Sequence, residues 1–428
     1  MNLQANIPTT ALPRVVIIGG GFAGLELAKK LDNQQFQIVL LDKNNYHQFQ
    51  PLFYQVATAG LEPSSISFPL RKLFQKNKNT HIRVTEVQEV DTQNKEVITP
   101  VGTIAYDYLV VAVGADTNFF GMPNIEKYAY PMKNVGEALL LRNTLLQNYE
   151  DALVATDPEL RKALMNVVIV GGGATGVELS GAIVEMKKFV LPKDLPELDF
   201  AQMEVTLLEA GPKLLNGMSE KAQTDSLKFL QDMGVKVKLN AQVKDYDGNQ
   251  VILADGTTLP TKTLIWAAGV TGNKVKGIPA EAITRGNRIV VNRLNEVTGL
   301  KDVYAIGDIA YMEEEKFPKG HPQVAQVAMQ MGTNVAKNLK AGLHQQPKKP
   351  FVYTDLGSMA TVGKNKAVVD LPFIKFSGFI AWLTWMFIHL LSIIGAKNKV
   401  ITFINWVVSY FSYDQSLRLI MRSKTEKQ

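Results

Sequence analysis

At 428 residues the chain is long enough for two or three domains, and 46% hydrophobic with 20% charged residues is the composition of a folded protein. It has no cysteine, which excludes disulfides, thiolate metal sites, iron–sulfur clusters and dithiol redox relays. Five histidines without an HExxH pairing argue against a zinc site, and the net charge of +6, concentrated at the C-terminus, argues against nucleic acid.

The first residues, MNLQANIPTTALPR, carry neither a basic-plus-apolar signal pattern nor an Arg/Ser-rich presequence, so a cytoplasmic enzyme body is expected. RVVIIGGGFAGLELAKKL then reads as strand, glycine turn and helix. A second strand, FQIVLLD, ends at Asp42, and a third, YDYLVVAVGA, ends in a turn at Gly114. Near Asn166 the plan restarts. NVVIVGGGATGVELSGAI repeats the first unit at a constant offset of 152, so Gly19, Gly21, Gly24 and Glu26 fall on Gly171, Gly173, Gly176 and Glu178. MEVTLLEA ends at Glu209, and TLIWAAGV, with Gly269, parallels YLVVAVGA. Repetition of a whole βαβ-containing unit predicts two Rossmann-like domains in an α/β fold.

In G-x-G-x-x-G after a strand, the first glycine makes the turn and the second admits a pyrophosphate. The third lets the helix pack close, with its N-terminus toward the phosphates. Asp42, and Glu209 in the second unit, stand where a carboxylate accepts the hydroxyls of an adenosine ribose. Such a carboxylate repels a 2′-phosphate and favours NADH over NADPH. Glu209 as a mere strand cap, with Lys213 tolerating NADPH, is the other possibility.

DVYAIGDIA returns the chain to Gly307–Asp308, and a helical stretch, HPQVAQVAMQMGTNVAKNL, follows. Pro322 suits its first turn. Gln323, Gln326 and Gln330 share one face at i, i+3, i+7, with small Ala325 and Ala328 beside them. Neutral amides of this kind suit a quinone carbonyl, and equally a polar surface face.

Phe376 to Ile394 holds 19 residues without Asp, Glu, Lys or Arg, just enough to span a bilayer. Val400 to Phe411 is too short to span. In it Thr402, Asn405 and Ser409, with Ser412 beyond, oppose Phe403, Ile404, Val407, Val408 and Phe411. Trp406, Tyr410, Tyr413 and flanking Lys/Arg suit the headgroup zone. From Leu371 to the end, seven Lys/Arg stand against two acids, beside the most apolar part of the chain. Attachment to one leaflet is favoured over a single span. No bundle of helices is present to carry protons, so turnover should not pump, and the all-round apolarity of the segment also allows a homodimer.

GGGFAGLE, GGGATGVE and AIGD resemble the loops of two-dinucleotide flavoproteins, in which an Asp in the place of Asp308 binds the ribityl chain of FAD. With AQVAMQ the resemblance, from Val15 to about Arg422, narrows to the type II NADH:quinone oxidoreductases, single-subunit NADH dehydrogenases of respiratory membranes that do not pump protons. It implies non-covalent FAD at Gly19, Gly21, Gly24, Asp42, Gly114 and Asp308, and NADH at Gly171, Gly173, Gly176, Glu209 and Gly269. Gln326 and Gln330 would line a quinone pocket and Glu178 would lie on the substrate side of the flavin. A lysine early in the tail, most simply Lys375, would approach flavin or quinone. The helix opened by Pro322 would stabilise negative charge on the reduced ring.

The expected division is 1–120 with 295–365 for FAD, 121–294 for NADH, and 366–428 as a membrane-associating segment on the cytoplasmic face of the inner (plasma) membrane. Glu178 remains open between two roles: a helix-start carboxylate like Glu26, or a proton relay with a raised pKa. Rival functions are an NAD(P)H-dependent reductase of a soluble electron carrier and a non-catalytic NADH sensor. A sulfide:quinone oxidoreductase shares the architecture but resembles a cysteine-dependent catalyst.

Overall fold

The computed structural model describes residues 4–412 and 417–421, so Tyr413, Arg422, Lys424 and Lys427 of the C-terminal pattern lie outside the described residues. The chain divides into two compact units. Met1–His47, Phe68–Asp116 and Val270–Asp355 form the first; Gln48–Ser67, Thr117–Gly269 and Leu356–Gln428 form the second.

The first unit holds a five-stranded parallel sheet in the order Val303–Ala305, Tyr108–Val111, Arg14–Ile18, Gln37–Asp42, Thr80–Val84. Its central strands are uninterrupted apolar runs, as strands covered on both faces must be. The second unit repeats the arrangement with Tyr130–Pro131, Thr263–Trp266, Val167–Val170, Val205–Leu208 and Lys236–Lys238. The repeat reaches down to register. Ile17 pairs with Leu40 on one side and Val110 on the other, and Ile169, 152 residues later, pairs with Leu207 and Ile265.

Each glycine-loop helix is covered by a different element. In the first unit the helix Ala325–Leu343 crosses the helix Phe22–Lys30 at Gly332, where a Cβ would stand 2.6 Å from the Ala23 carbonyl oxygen. In the second, the helix Ala174–Phe189 meets the strand Ser358–Gly363 at Gly181, where a Cβ would stand 1.6 Å from the Val362 oxygen. That contact draws the last part of the chain into the second unit. The stretch Gln48–Ser67 also belongs there, because its short helix Phe53–Ala57 buries Phe53, Tyr54 and Val56 among the helices Val135–Val154 and Ala174–Phe189.

An antiparallel sheet of Ser358–Gly363, Lys366–Asp370 and Lys375–Ser377 leads into the tail. Asp370 accepts the Ser219 N–H at 2.5 Å and its hydroxyl at 2.8 Å, and the Ser377 hydroxyl donates to Asp225 at 2.6 Å. Two helices follow, Phe379–Ser392 and Ala396–Ser412, parted by extended Ile393 and left-handed Gly395. The apolar run beginning at Phe376 is therefore not one span: 14 residues rise about 21 Å against a hydrocarbon core of about 30 Å. No helix among the described residues is long and apolar enough to cross a membrane.

The tail helices are amphipathic in the inverse sense of a soluble surface helix. Ala381, Trp385, Thr402 and Trp406 are buried, and Asn405 and Ser409 half-buried. Phe379, Ile380, Phe387, Phe403, Ile404, Val408 and Phe411 face outward, Phe411 with 80% of its surface exposed.

Candidate active site

The two glycine loops have one geometry. Gly19 and Gly171 are left-handed, with φ of +106° and +111°, and a Cβ on either would meet the carbonyl oxygen of Ala112 (2.3 Å) or Ala267 (2.6 Å). A Cβ at Gly24 or Gly176 would stand 1.9 Å from the oxygen of Gly19 or Gly171, so each helix begins in contact with the turn that precedes it. The middle glycines differ in kind. Gly21 and Gly173 are the N-caps of their helices, neither has a side-chain cap, and nothing lies within 4 Å of a Cβ placed on them. Open space over uncapped helix N–H groups is what a pyrophosphate requires, so both cradles fit a dinucleotide.

Both carboxylates grip their own loop. Asp42 accepts the Gly20 and Asn44 N–H groups, each at 2.6 Å, and Glu209 accepts those of Gly172 and Gly211, also at 2.6 Å. Burial pushes the Asp42 carboxyl above its ordinary value, opposed by the Asn44 and Gly20 N–H groups. A carboxylate has about four lone-pair sites, so two remain on each for ribose hydroxyls. Lys213 lies 4.0 Å from Glu220 at the surface.

Elsewhere in the first unit, Gly114 is left-handed (φ +70°) with open space where a Cβ would be. Gly307, also left-handed, brings the Gly307–Asp308 turn against Ala23 and Ala328, with Cβ separations of 3.0 and 3.3 Å. The helix expected to open at Pro322 begins instead at Ala325, with extended Val324 as its N-cap. Two anchors hold the chain out of the helix until then: the His321 ring is buried against Phe317, 4.5 Å between centroids, and the Gln323 amide donates to the Asp308 carbonyl at 3.0 Å. The helical face therefore carries Gln326 and Gln330 without Gln323. The Gln330 amide clasps the Thr354 backbone, donating to its carbonyl (2.8 Å) and accepting its N–H (2.9 Å).

In the second unit, Gly269 turns left-handed beneath the Phe120 ring, 2.6 Å from a built Cβ. Glu178 and Glu26 occupy equivalent positions in their helices but not equivalent surroundings. Glu26 is partly exposed, lies 3.8 and 3.7 Å from Lys29 and Lys30, and receives the Thr333 hydroxyl. Glu178 is buried, 8% exposed, and accepts the Thr361 N–H at 3.4 Å. Loss of hydration pushes its carboxyl up to about 8, offset in part by the Thr361 N–H and the Trp385 indole. That indole Nε1–H nevertheless completes no hydrogen bond among the described residues.

Glu178 opens onto a cavity of about 120 Å³. Its walls are the short helix with Tyr54, the helix carrying Glu178 and Glu185, the turn with Lys364, and the inner faces of the tail helices with Trp385 and Trp406. The Trp406 indole donates to Gln55 (2.7 Å), whose amide donates to the Tyr54 hydroxyl (2.8 Å), so the second tail helix is tied to the cavity wall. Lys364 donates to the Tyr410 carbonyl at 2.5 Å and lies 4.2 Å from the centre of its ring. Lys375 is exposed on the last strand and does not line the cavity. Sequence reasoning passed over Tyr54, Glu185, Thr361 and Lys364. Glu185 had a signal, lying seven residues after Glu178 on the same helical face; Lys364 sits in a hairpin turn with no motif to mark it.

A family model described as pyridine nucleotide-disulphide oxidoreductase matches residues 13–332, and one described as the NDH2 C-terminal domain matches 356–412. Type II NADH:quinone oxidoreductase Ndh of Mycobacterium tuberculosis is 36% identical over 95% of this chain and 90% of its own. NdhA of the same organism is 34% identical over 93% and 87%. A solved structure of NDH2 from Plasmodium falciparum in complex with NADH, 20% identical, superposes with a TM-score of 0.86 over 96% of this chain and all of that one, and shares its fold. Two glycine cradles, a thiol-free chain and full-length kinship together identify the chain as a member of the type II NADH:quinone oxidoreductases, FAD enzymes that pass electrons from NADH to a quinone.

Proposed function

We propose that the first cradle holds FAD and the second NADH, that Glu178 delivers a proton on the quinone side, and that the outer faces of the tail helices rest in one membrane leaflet. The observation that carries this reading is the pair of equal cradles whose equivalent glutamates have parted, Glu26 to surface ion pairs and Glu178 to a buried cavity wall. FAD, when bound, accepts the hydride of NADH and supplies two electrons to the quinone.

The chain's own contribution is to position and protonate. Helix N–H groups at Gly21 and Gly173 hold pyrophosphates, and Asp42 and Glu209 hold riboses with the oxygen capacity left after gripping their loops. Glu178 is protonated at neutral pH because burial disfavours its charge, so it can give up a proton where quinol forms. In this reading Gln326 offers an amide to a quinone carbonyl, and Gln330 steadies the chain after its helix by clasping the Thr354 backbone. Lys364, which lines the cavity and acts on Glu185, takes the part that the resemblance suggested for Lys375. The lipid leaflet is supported by the outward Phe and Ile stripe beside exposed Lys397, with the polar stripe turned inward. It brings the acceptor site to a substrate dissolved in lipid.

Three sets of substitutions test this. Glu178→Gln slows reoxidation of NADH-reduced enzyme by quinone by about 100-fold, and the native loss of that rate as pH rises through about 8 disappears from its profile. Because the native carboxyl binds its proton more tightly folded than unfolded, native stability falls as pH rises from the ordinary 4.5 to about 8. The advantage of Glu178→Gln in melting temperature therefore grows across that window.

Glu209→Gln raises the NADPH-to-NADH ratio of kcat/KM by roughly tenfold, since it removes charge repulsion on a 2′-phosphate. An equal loss with both donors would mean that Glu209 only pins its loop. Replacing Phe403, Val407 and Phe411 with Asp weakens binding to phospholipid vesicles by on the order of a hundredfold in a flotation assay, with dye reduction by NADH in solution unchanged.

A further inference from the structure

Two carboxylates look into one cavity, and the proposed role of Glu178 uses only the inner one. Glu178 and Glu185 are seven residues apart on the helix Ala174–Phe189, about 10 Å along its axis. Glu178 is enclosed, whereas Glu185 is half-buried and nearer solvent. A proton cannot pass directly over that distance, because transfer needs hydrogen-bond contact. The cavity between them has a volume of about 120 Å³, room for several waters, and its walls carry the polar partners such waters need. The Trp385 indole, 1% exposed on this wall, lies beside the Glu178 carboxyl, and its Nε1–H completes no hydrogen bond among the described residues, so a cavity water could bridge the two.

The surroundings of Glu185 suit a group that loads and unloads a proton. Loss of hydration pushes its carboxyl above the ordinary value, opposed by the Lys364 N–H and by the charges of Lys364, Lys366 and Lys188, and Tyr54 and Tyr410 complete the wall. Glu185 Oε1 accepts the Lys364 N–H at 2.5 Å.

Resting on the assignment of Glu178 as the proton donor to the acceptor site, we infer that this cavity is a water-filled antechamber and that Glu185 is the group that recharges Glu178 through it. The net reaction, NADH + H⁺ + quinone → NAD⁺ + quinol, draws one proton from water per turnover. In the relay, Glu185 releases its proton to the cavity waters, the chain of waters passes one to the Glu178 carboxylate, and bulk water reprotonates Glu185. Only O–H bonds are exchanged, and no electron moves.

The test uses full-length, FAD-loaded enzyme bearing Glu185→Gln, which keeps an oxygen for the Lys364 N–H, and Glu185→Asp. Flavin reduction by NADH is expected to keep its native rate in both. Reoxidation by a short-chain quinone slows at least ~10-fold in Glu185→Gln, with an enlarged solvent deuterium isotope effect, and recovers in part in Glu185→Asp. Without turnover, infrared spectroscopy reads the protonated-carboxyl band that Glu178→Gln abolishes: on mixing with D₂O it shifts at once in native enzyme and slowly in Glu185→Gln. Native-speed band exchange in Glu185→Gln, or equal slowing by Gln and Asp without change in the isotope effect, overturns the relay. If Glu178→Gln slows reoxidation while Glu185→Gln does not, the relay alone fails. If neither slows it, the role of Glu178 fails first and the relay with it.

Discussion

The whole arrangement depends on one close approach. A helix can begin directly under a parallel strand only if the first and last glycines of the turn between them carry no side chain, and the distances of 1.9 Å from Gly24 and Gly176 to the preceding turn leave no alternative. Given that approach, the first helical N–H groups are uncapped and point at open space, and the second strand must end at a carboxylate that holds the loop from behind. A nucleotide site is then the natural completion of the unsatisfied donors. Because the constraint is met twice, one chain has two nucleotide cradles.

The units differ in what covers the glycine-loop helix. In the first unit a helix crosses at Gly332; in the second an edge of antiparallel sheet crosses at Gly181 and brings the tail helices with it. The position that is a surface glutamate in one unit therefore becomes a buried one in the other. A carboxylate without a cation to pair with stays neutral where it is buried, and a neutral acid is a proton donor. Duplication made the scaffold, and its asymmetric covering set the two glutamates apart.

Much of this was legible from residues. The offset of 152, the two glycine loops, Asp42 and Glu209, and the strand ends at Gly114 and Gly269 follow from local steric rules that hold wherever the pattern occurs. The polar and apolar stripes of the last helix were legible too, though not that the polar stripe would be the inward one. What escaped were features set by distant contacts. The start of the glutamine helix at Ala325 depends on the burial of His321 and on the Gln323–Asp308 bond. The cavity wall gathers Tyr54, Glu178, Lys364 and Trp406 from four separate stretches. Periodicity carries no information about such meetings; Lys364 on the cavity wall had no motif to mark it, and Lys375, which the resemblance suggested, does not line this cavity.

The account is tested most directly by filling one cradle at a time. A Cβ at Gly21 or Gly173 touches nothing within 4 Å, so valine at either position intrudes on ligand space and leaves the fold alone. Absorbance of the purified proteins should show that Gly21→Val is colourless, whereas Gly173→Val keeps its yellow FAD but is no longer bleached by NADH under anaerobic conditions. Retention of FAD by Gly21→Val, together with a colourless Gly173→Val, would reverse the assignment of the cradles and contradict the account.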